Sequence, residues 1–573
     1  MTSSWLLTIL VAIPVGGALA VSLIPDSSPR APRLTGIGAS LAAFIVSLVL
    51  WFRFDAADAG MQFVQRIPWI PGADISYFVG IDGISLLLVV LTTFLIPTAL
   101  LASWESVTRR LKGFVALMLL LEAGTLGVFV SLDLVLFYVF WEFMLVPMYF
   151  IIGIWGGAER VYAATKFFLY TMAGSLLMLV AIIWLGTYAG SMPGGVFTTD
   201  LLKLYQIAPA IPFQIQAWIF LAFTLSFAIK IPLFPLHTWL PDAHVQAPTA
   251  GSVILAGVLL KMGTYGLVRF CLPLFPSATF TFLPYIAGLA VVGIIYGALV
   301  SMVQPDLKKL VAYSSVSHLG FVVLGIFALN EEGMQGSVLQ MINHGLSTGA
   351  LFLLVGMIYD RRHTRMIGDF GGIARIMPVF ATFFMIVMLS SAGLPGLNGF
   401  VGEFLILAGA FTSKLLGTPW YAIAAATGVI FAAVYLLWSY QRVFFGKVVH
   451  RENDTLKDLD SREWLVLIPI VVFIVWIGVY PSTFMDKTAL ASKQLIQRIE
   501  FARRGIAPPQ ARTMPEPLEK PYDMPAGLPG SGLQGQGGAE QGAKAQDPGQ
   551  VRGSGERGIR VIPAAERKAV PAR

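Results

Sequence analysis

Apolar stretches of about 20 residues recur along most of this chain, and polar residues concentrate in the short segments between them. A helix of that length spans the roughly 30 Å hydrocarbon core of a bilayer. The pattern predicts fourteen membrane-spanning helices, near residues 3–24, 35–53, 79–102, 114–131, 134–155, 167–188, 210–239, 247–272, 278–302, 309–329, 334–359, 373–413, 419–441 and 463–481.

Two of these stretches, the seventh and the twelfth, are too long for one simple span. The seventh contains Ile-Pro-Leu-Phe-Pro at 231–235, and the twelfth contains Gly-Leu-Pro-Gly-Leu-Asn-Gly at 393–399. Proline removes a helix donor and clashes with the preceding turn. A broken helix is tolerated inside a membrane only where protein or water satisfies the freed backbone groups. Both stretches are therefore predicted to be interrupted helices.

The predicted fold class is an all-α polytopic membrane protein. The two breaks lie five helices apart, and an odd offset inverts one unit relative to the other in the membrane. We therefore expect two inverted five-helix repeats, helices four to eight (114–272) and nine to thirteen (273–441), preceded by helices one to three (1–113). A helix-14 region (442–500) and a Pro-, Gly- and Gln-rich tail (501–573), expected to be disordered, follow. Two unrelated proline kinks remain the alternative to a repeat.

Composition supports a single membrane bundle and excludes several other classes of protein. The chain is 56% hydrophobic and 12% charged, whereas soluble domains carry about 25% charged residues. Its one cysteine, Cys271, allows no intrachain disulfide and no cluster of thiolate ligands. The basic residues form no continuous face, which argues against nucleic-acid binding. The N-terminal apolar run lacks a basic flank and is interpreted as a first span, not as a cleaved signal.

The basic residues of the loops predict an orientation. Sixteen of those that flank the predicted spans fall on one side of the membrane and five on the other. Cytoplasmic loops carry the excess of Lys and Arg. With an even number of helices, both the N-terminus and the C-terminus are expected on the outer, periplasmic side.

Four charged residues lie within stretches predicted to occupy the hydrocarbon core: Glu142, Lys230, Lys261 and Glu403. A charge at the bilayer centre costs at least about 2.5–3.5 kcal/mol, so such residues usually face the bundle interior and mark ion or proton pathways. Lys230 and Glu403 flank the two broken helices, where transporters place their sites. This combination indicates a protein that moves protons.

Each of these residues has a candidate role. A carboxylate that approaches a buried ammonium changes its affinity for a proton, so Glu142 and Lys230 could act as a switch; a static ion pair is the alternative. Lys261 and Glu403 are expected to carry protons, with snorkelling to the interface as the alternative for Lys261. Glu122, within helix four, is a weaker candidate of the same kind.

Histidines in the predicted spans extend this set. His318 and His344 lie between the two lysines and Glu403 in chain order and could relay protons, because histidine titrates near neutral pH. Ordinary hydrogen-bonded core histidines are the alternative. His237 and His244 could suggest a metal, but Pro241 disrupts any common helical face and no thiolate accompanies them. No metal ligand is predicted in the chain.

Several long segments resemble the antiporter-like subunits of respiratory complex I, NADH-quinone oxidoreductase: LVLFYVFWEFMLVPMYFIIGIWGG, FAIKIPLFPLHTWLPDAHVQAPTAGSVILAGVLLKMGTYG, DLKKLVAYSSVSHLG and GLPGLNGFVGEF. The resemblance covers roughly residues 80–445. A glutamate in the broken twelfth helix is the pattern of subunit M (chain 4), where sister subunits and multisubunit sodium/proton antiporters carry lysine. Glu403 has this pattern.

The resemblance implies a proton-translocating subunit with fourteen helices, inverted repeats, and broken helices seven and twelve. Glu142 and Lys230 would be the modulating pair, Lys261 the central carrier, His318 and His344 the relay, and Glu403 the terminal group. The chain would hold no redox centre. FMN, iron–sulfur clusters and quinone would belong to other subunits. Partners would be phospholipids and the neighbouring membrane subunits L and N, in a bacterial inner membrane. A subunit of a cation/proton antiporter and a membrane scaffold are the competing interpretations.

Overall fold

The computed structural model describes residues 4–25, 28, 30–448 and 450–503. Within them, thirteen helices are long and apolar enough to cross a membrane, and a pair of shorter apolar helices forms the twelfth predicted span. We number them α1 (Leu6–Leu23), α2 (Arg30–Arg53), α3 (Gly83–Ala102), α4 (Leu111–Val130), α5 (Leu134–Trp155), α6 (Arg160–Ser191), α7a (Phe213–Lys230), α7b (Trp239–Gln246), α8 (Thr249–Leu274), α9 (Pro276–Met302), α10 (Leu307–Phe327), α11 (Glu331–Arg362), α12a (Pro378–Ser391), α12b (Asn398–Thr412), α13 (Trp420–Phe444), α14 (Ser461–Val479) and α15 (Ser482–Arg503).

Besides the short helix Leu201–Ile207, two elements were not predicted from the sequence. An antiparallel hairpin, β1 (Gln62–Ile70) and β2 (Ile75–Ile81), precedes α3, but the described residues are mostly helical and the predicted all-α polytopic fold class is confirmed. The third span was predicted to begin at residue 79, but the helix begins at Gly83. Asp82 caps it, because its Oδ1 accepts a hydrogen bond from Ser85 N at 3.0 Å. The helix α15 was the second omission.

The helix α15 ends at Arg503, beyond residue 501, where the tail was predicted to begin. Residues 501–503 are helical, and the rest of the segment predicted to be disordered lies outside the described residues. Phe484, Ala491 and Ile499 bury one side of α15, and the helix packs against α3 and α11. Its polar side kept it below the hydropathy of a span, which is why a search for apolar stretches missed it.

Three helices form the centre of the bundle. The most apolar windows of α8 and α11 are 100% buried and that of α10 is 94% buried, whereas that of α2 is only 28% buried. All three central helices carry polar and titratable side chains, which cannot face lipid without a large cost. The outward positions of a peripheral helix are apolar instead, as Leu41 and Ile45 of α2 show. The candidate proton carriers therefore lie where neighbouring helices, and not lipid, surround them.

The seventh span is interrupted where the sequence predicted. Pro232 has no N–H to offer the carbonyl of Ala228, which accepts instead from Leu233 N at 2.9 Å. The carbonyl of Ile229, freed by this shift, accepts from the indole Nε1 of Trp239 at 2.8 Å. Buried side-chain and backbone donors thus satisfy the interrupted helix. Lys230 is the last residue of α7a and stands directly at the interruption.

The twelfth span is interrupted between Ser391 and Asn398. Gly393 and Gly396 have φ values of +78° and +90°. These left-handed conformations strain residues with a Cβ, so glycine is required at this turn. The connection then places Glu403 within the second turn of α12b, where it is 3% exposed.

Two short backbone bridges follow the same pattern in the two halves of the chain. Leu134 N donates to Thr199 O at 2.9 Å, and Leu201 N donates to Leu132 O at 2.9 Å. In the second half, Leu307 N donates to Arg365 O at 3.0 Å, and Ile367 N donates to Pro305 O at 2.8 Å. Each bridge contains the aspartate that caps the following helix, Asp133 for α5 and Asp306 for α10. The two capped helices are five apart, like the two breaks.

Candidate functional site

Lys261 is fully buried in the middle of α8. A π-helical turn, Leu255–Leu259, immediately precedes it. Such turns displace backbone carbonyls from the regular ladder and often mark functional positions. The Nζ atom of Lys261 donates to Ala256 O at 2.5 Å and lies 2.7 Å from His344 Nδ1. The sequence indicated an ammonium without a local acidic partner; the structure gives it a histidine and a carbonyl.

His344 connects this lysine to a second histidine. Its ring on α11 and the ring of His318 on α10 are 6.0 Å apart between centroids, at 63° to each other. Both residues are 3% exposed. The Nε2 atom of His344 has no hydrogen-bond partner among the described protein atoms. The predicted relay histidines are therefore neighbours whose rings meet edge to face.

Glu403 completes the series. Its Oε1 atom lies 2.8 Å from His318 Nδ1 and 3.1 Å from Gln340 Nε2. On the other side of the His318 ring, Nε2 lies 3.4 Å from the hydroxyl of the buried Tyr435. The order Lys261, His344, His318, Glu403 in space is thus continuous. It starts at the centre of α8 and ends beside the interruption of the twelfth span.

The partners of the two histidines allow an arrangement of hydrogen atoms that suits a relay. When Lys261 is an ammonium, His344 Nδ1 accepts from it, and the proton of a neutral ring is then on Nε2. His318 Nδ1 faces a carboxylate, so it donates, and its Nε2 accepts from Tyr435. Each ring therefore has one nitrogen that can receive a proton while the other releases one, as a relay requires.

The predicted pair of Glu142 and Lys230 is not in direct contact. Both residues are described, and no ion pair within 4.0 Å joins them. The Lys230 ammonium lies instead 3.8 Å from Met144 Sδ, 5.3 Å from the Trp141 ring centroid and 5.4 Å from that of Phe167. Aromatic faces attract a cation, which allows the buried lysine to remain apart from the carboxylate.

Glu142 itself is only partly buried, on the side of α5 that faces α6. Tyr138 and Ser175 lie beside its carboxylate, and the two charges remain near enough to interact through space. Glu122 differs, because it is fully buried in α4 and neither carboxylate oxygen has a described hydrogen-bond partner. The structure does not bring Glu122 into the continuous line from Lys261 to Glu403.

His237 and His244 do not converge on one site. His244 is fully buried and stacks on Phe352 at 4.5 Å between centroids. His237 packs between Phe234 and Tyr296. Within the described residues, no group of three or more His, Cys, Asp or Glu side chains is arranged to hold a metal ion.

Several polar partners of the line were missed at the level of the sequence. Gln340, Asn343 and Ser347 lie at i, i+3 and i+7 on α11, and all are buried. This helical spacing within an apolar span was a usable signal, because polar residues on one face predict a shared polar neighbour. Tyr435 had no such signal, since a tyrosine in a span is more often a packing residue.

Hydrogen bonds and ion pairs of charged side chains join helices at the two ends of the bundle. At the end that carries α7b, Lys308 Nζ donates to Ala247 O at 2.5 Å and Arg365 pairs with Asp306 at 3.4 Å. At the other end, Arg269 of α8 pairs with Asp82 at 2.6 Å. Arg269 also donates to Tyr265 Oη at 3.1 Å and to Ser85 Oγ at 3.2 Å, so the buried guanidinium is well satisfied.

Charged side chains at the surface also hold the turn between β1 and β2. Asp74 lies between Lys203 (2.8 Å) and Arg66 (3.2 Å). Burial raises the pKa of Asp74, but the hydrogen bonds from Lys203 and Thr198 and the two nearby cations outweigh it, so the pKa is lowered. The hairpin is therefore fastened in part by Asp74, whose lowered pKa favours the ionised form.

Comparisons with known proteins show the family of the chain. The family model described as "NADH:quinone oxidoreductase/Mrp antiporter, TM" matches residues 131–432, and the one described as "NADH-ubiquinone oxidoreductase chain 4, amino terminus" matches residues 60–126. The chain belongs to the NADH-quinone oxidoreductase subunit M (chain 4) family.

Relatives of known name cover most of this family member. Subunit M of Rhodobacter capsulatus NADH-quinone oxidoreductase is 47% identical over 86% of this chain and 96% of its own length. NADH-ubiquinone oxidoreductase chain 4 of Arabidopsis thaliana is 46% identical over 86% of this chain and 97% of its own. A chain of respiratory complex I from Thermus thermophilus with bound NADH superposes with a TM-score of 0.76 at 33% identity, covering 86% of this chain and 99% of that one.

Proposed function

We propose that this subunit M family member translocates protons across the membrane as part of NADH:quinone oxidoreductase. The observation that carries the proposal is the continuous buried series Lys261, His344, His318 and Glu403, which links the central helix α8 to the interruption of the twelfth span. Four adjacent titratable groups in a bundle interior are costly unless they serve a pathway.

The atoms suggest the order of transfer. A proton on Lys261 Nζ passes to His344 Nδ1, and His344 releases the proton on Nε2 toward Nε2 of His318, whose ring centroid lies 6.0 Å from that of His344. His318 then passes its Nδ1 proton to Glu403 Oε1. Each step restores a neutral histidine in the other tautomer, so the rings must reset before the next proton passes.

Glu142 and Lys230 are proposed to modulate this series, with Glu122 as a further, weaker candidate. Lys230 stands at the break of α7, on aromatic faces and apart from Glu142. A small shift of α7a toward α5 would join the two charges. Their union or separation would change the electrostatic potential at the neighbouring α8 and so the proton affinity of Lys261.

The wider assembly is also part of the proposal. Electron transfer would take place in other subunits, which would hold FMN, iron–sulfur clusters and quinone, and this chain would hold no redox centre. Its partners would be the neighbouring membrane subunits L and N and phospholipids of a bacterial inner membrane, with both termini periplasmic. Support comes from relatives named as subunits of NADH-quinone oxidoreductase and from the orientation indicated by the basic loops.

A backbone pattern shared by the two halves of the chain supports the proposed inverted repeats. The backbone bridges at Asp133 and Asp306 share one hydrogen-bond pattern and cap helices five apart. The breaks of the seventh and twelfth spans are five apart as well. The boundaries 114–272 and 273–441 therefore remain the proposed repeat units.

The test replaces the first member of the series. In the purified complex reconstituted in vesicles, Lys261→Ala should abolish NADH-driven proton uptake while the complex still assembles. Lys414→Ala, at an exposed loop position, is the matched control and should pump normally. Normal pumping by an assembled Lys261→Ala complex would refute the proposed role. Isolation with cation-transporting subunits in place of flavin and iron–sulfur subunits would favour the antiporter.

A further inference from the structure

Two buried amide side chains, those of Gln340 and Asn343, connect Glu403 to Asn398, the first residue after the interruption of the twelfth span. Gln340 Nε2 donates to Glu403 Oε1 at 3.1 Å, and Gln340 Oε1 accepts from Asn343 Nδ2 at 3.1 Å. Asn343 Nδ2 also donates to the backbone carbonyl of Asn398 at 2.7 Å. We call Gln340, Asn343 and Asn398 the amide ladder. Their exposed fractions are 3%, 1% and 0%.

The far end of the ladder holds both halves of the interrupted helix. Asn398 is the first residue of α12b, and its Oδ1 accepts from Ser390 Oγ of α12a and from Ser347 Oγ of α11, the latter at 3.2 Å. The two hydroxyls also contact each other at 2.6 Å. A movement of either half-helix therefore must displace a hydrogen bond of Asn398.

The near end fixes the orientation of the carboxylate. Oε1 of Glu403 takes the contacts from both His318 and Gln340, and its Oε2 faces the break, because a Cβ placed on Gly393 would lie 3.4 Å from that oxygen. Gly402, one residue before Glu403, leaves the room that Gln340 and Asn343 need to approach α12b. One oxygen thus faces the relay and the other faces the interruption.

Packing alone does not account for the ladder. A buried amide that loses one partner is costly, whereas apolar side chains of the same shape in both positions can be nearly neutral. Two side-chain amides in series, placed between a carboxylate and the backbone of Asn398 at the glycine-rich break, form a directional connection that apolar residues could not.

We infer that Gln340, Asn343 and Asn398 are positioning residues that hold Glu403 with Oε1 on the relay and Oε2 toward the break, and so couple movement of the α12 half-helices to the proton affinity of Glu403. This inference rests on the proposed function. Gln340 supports the ionised form, because a donor stabilises a carboxylate. Without it, Glu403 should keep its proton to higher pH and release it less readily, so that it is less often free to accept the next proton from His318.

Few other ionisable groups surround Glu403, so a change in the pH dependence of pumping can be attributed to this carboxylate. His318 faces it from α10 and Tyr435 from α13. The segment α12a contains no ionisable side chain, and the charges of α14, Arg462 and Glu463, lie in its first turn. The remaining element packed against α12b is α11, which contributes Gln340 and, behind it, His344.

The experiment measures the pH profile of proton pumping by the reconstituted complex. Gln340→Met keeps side-chain length and removes both amide functions. The acid limb of the profile should move to higher pH by about one unit, which corresponds to about a tenfold change in the proton-binding equilibrium. Gln216→Met is the matched control: Gln216 is also a buried glutamine, but it bonds only the backbone of Ala208 and Ala278, and its variant should keep the original profile.

A second variant tests the inference if Gln340→Met does not assemble. Asn343→Ser shortens the middle of the ladder and should shift the profile in the same direction, by less, since it acts through Gln340. An unshifted profile in assembled Gln340→Met would overturn the inference; if that variant does not assemble, Asn343→Ser decides by the same criterion. Failure of both to assemble, with Gln216→Met intact, would assign the ladder to folding and reject the inference. Normal pumping by Lys261→Ala would reject the proposed function instead.

Discussion

His318 Nδ1 and Glu403 Oε1 lie 2.8 Å apart although 85 positions separate them in the chain, and both side chains are almost completely buried. This contact joins α10 to the second half of the twelfth span. The sequence indicated the two residues only separately. Their contact makes them the last step of the proposed series.

The contact predicts the behaviour of Glu403 variants. Glu403→Gln keeps the size of the side chain and the contact from Gln340 but removes the group that accepts the proton, so the complex should assemble and pump much less. Glu403→Lys, the pattern of sister subunits, should be partly tolerated. Pumping per NADH oxidised and the amount of assembled complex are measured.

The control for this pair is Glu331→Gln. Glu331 lies at the partly exposed start of α11, 4.0 Å from Lys493 Nζ and away from the relay, and its variant should resemble the unmodified complex. Unchanged proton yield and turnover in assembled Glu403→Gln would show that Glu403 is not an acceptor of protons.

Glu142 and Lys230 should behave as a switch and not as a structural pair, because they are apart in the structure. Glu142→Gln should reduce turnover without loss of assembly, and Glu142→Asp, which keeps the charge, should be milder. A permanent buried pair behaves otherwise, since removal of one partner costs roughly 3–5 kcal/mol. Equal loss of assembled complex in both variants would indicate a structural role.

Arg269 and Asp82 supply the contrasting case of a true buried pair, at 2.6 Å. Asp82→Ala should strand the guanidinium and destabilise the subunit by roughly 3–5 kcal/mol, because the buried charge loses its counterion. The double variant Asp82→Ala with Arg269→Met should recover part of that loss. Thermal unfolding of the purified complex in detergent measures both. If the double variant is as unstable as the sum of the two single variants, the residues are not energetically coupled.

The proposed orientation can be tested with single cysteines, because the only native cysteine, Cys271, is fully buried. Ala57 lies in an exposed turn before the hairpin and Ala158 in the exposed turn between α5 and α6. A membrane-impermeant maleimide should label Ala57→Cys in intact spheroplasts and Ala158→Cys only in inverted vesicles. The reverse pattern would overturn the proposed orientation and the side to which Glu403 releases protons.

The linear pattern of apolar residues determined much of the fold. Fourteen spans were predicted at positions that the helices occupy, because a bilayer selects long apolar stretches by composition alone. Pro232 and Gly393 located the two breaks, since their backbone limits act locally. The hairpin before α3 and the helix α15 escaped the same criterion because neither is a long apolar run.

Composition also indicated which residues matter, but not how they meet. Glu403, Lys261 and the histidines stood out because charge in an apolar stretch is expensive. Their order in space depends on how α8, α10 and α11 pack, which no local rule specifies. Only the tertiary structure decided that Lys261 contacts His344 and that Lys230 rests on aromatic rings apart from Glu142. The physical reason is that hydropathy and backbone limits act within one segment, whereas a contact between two buried side chains is decided by the packing of helices far apart in the chain.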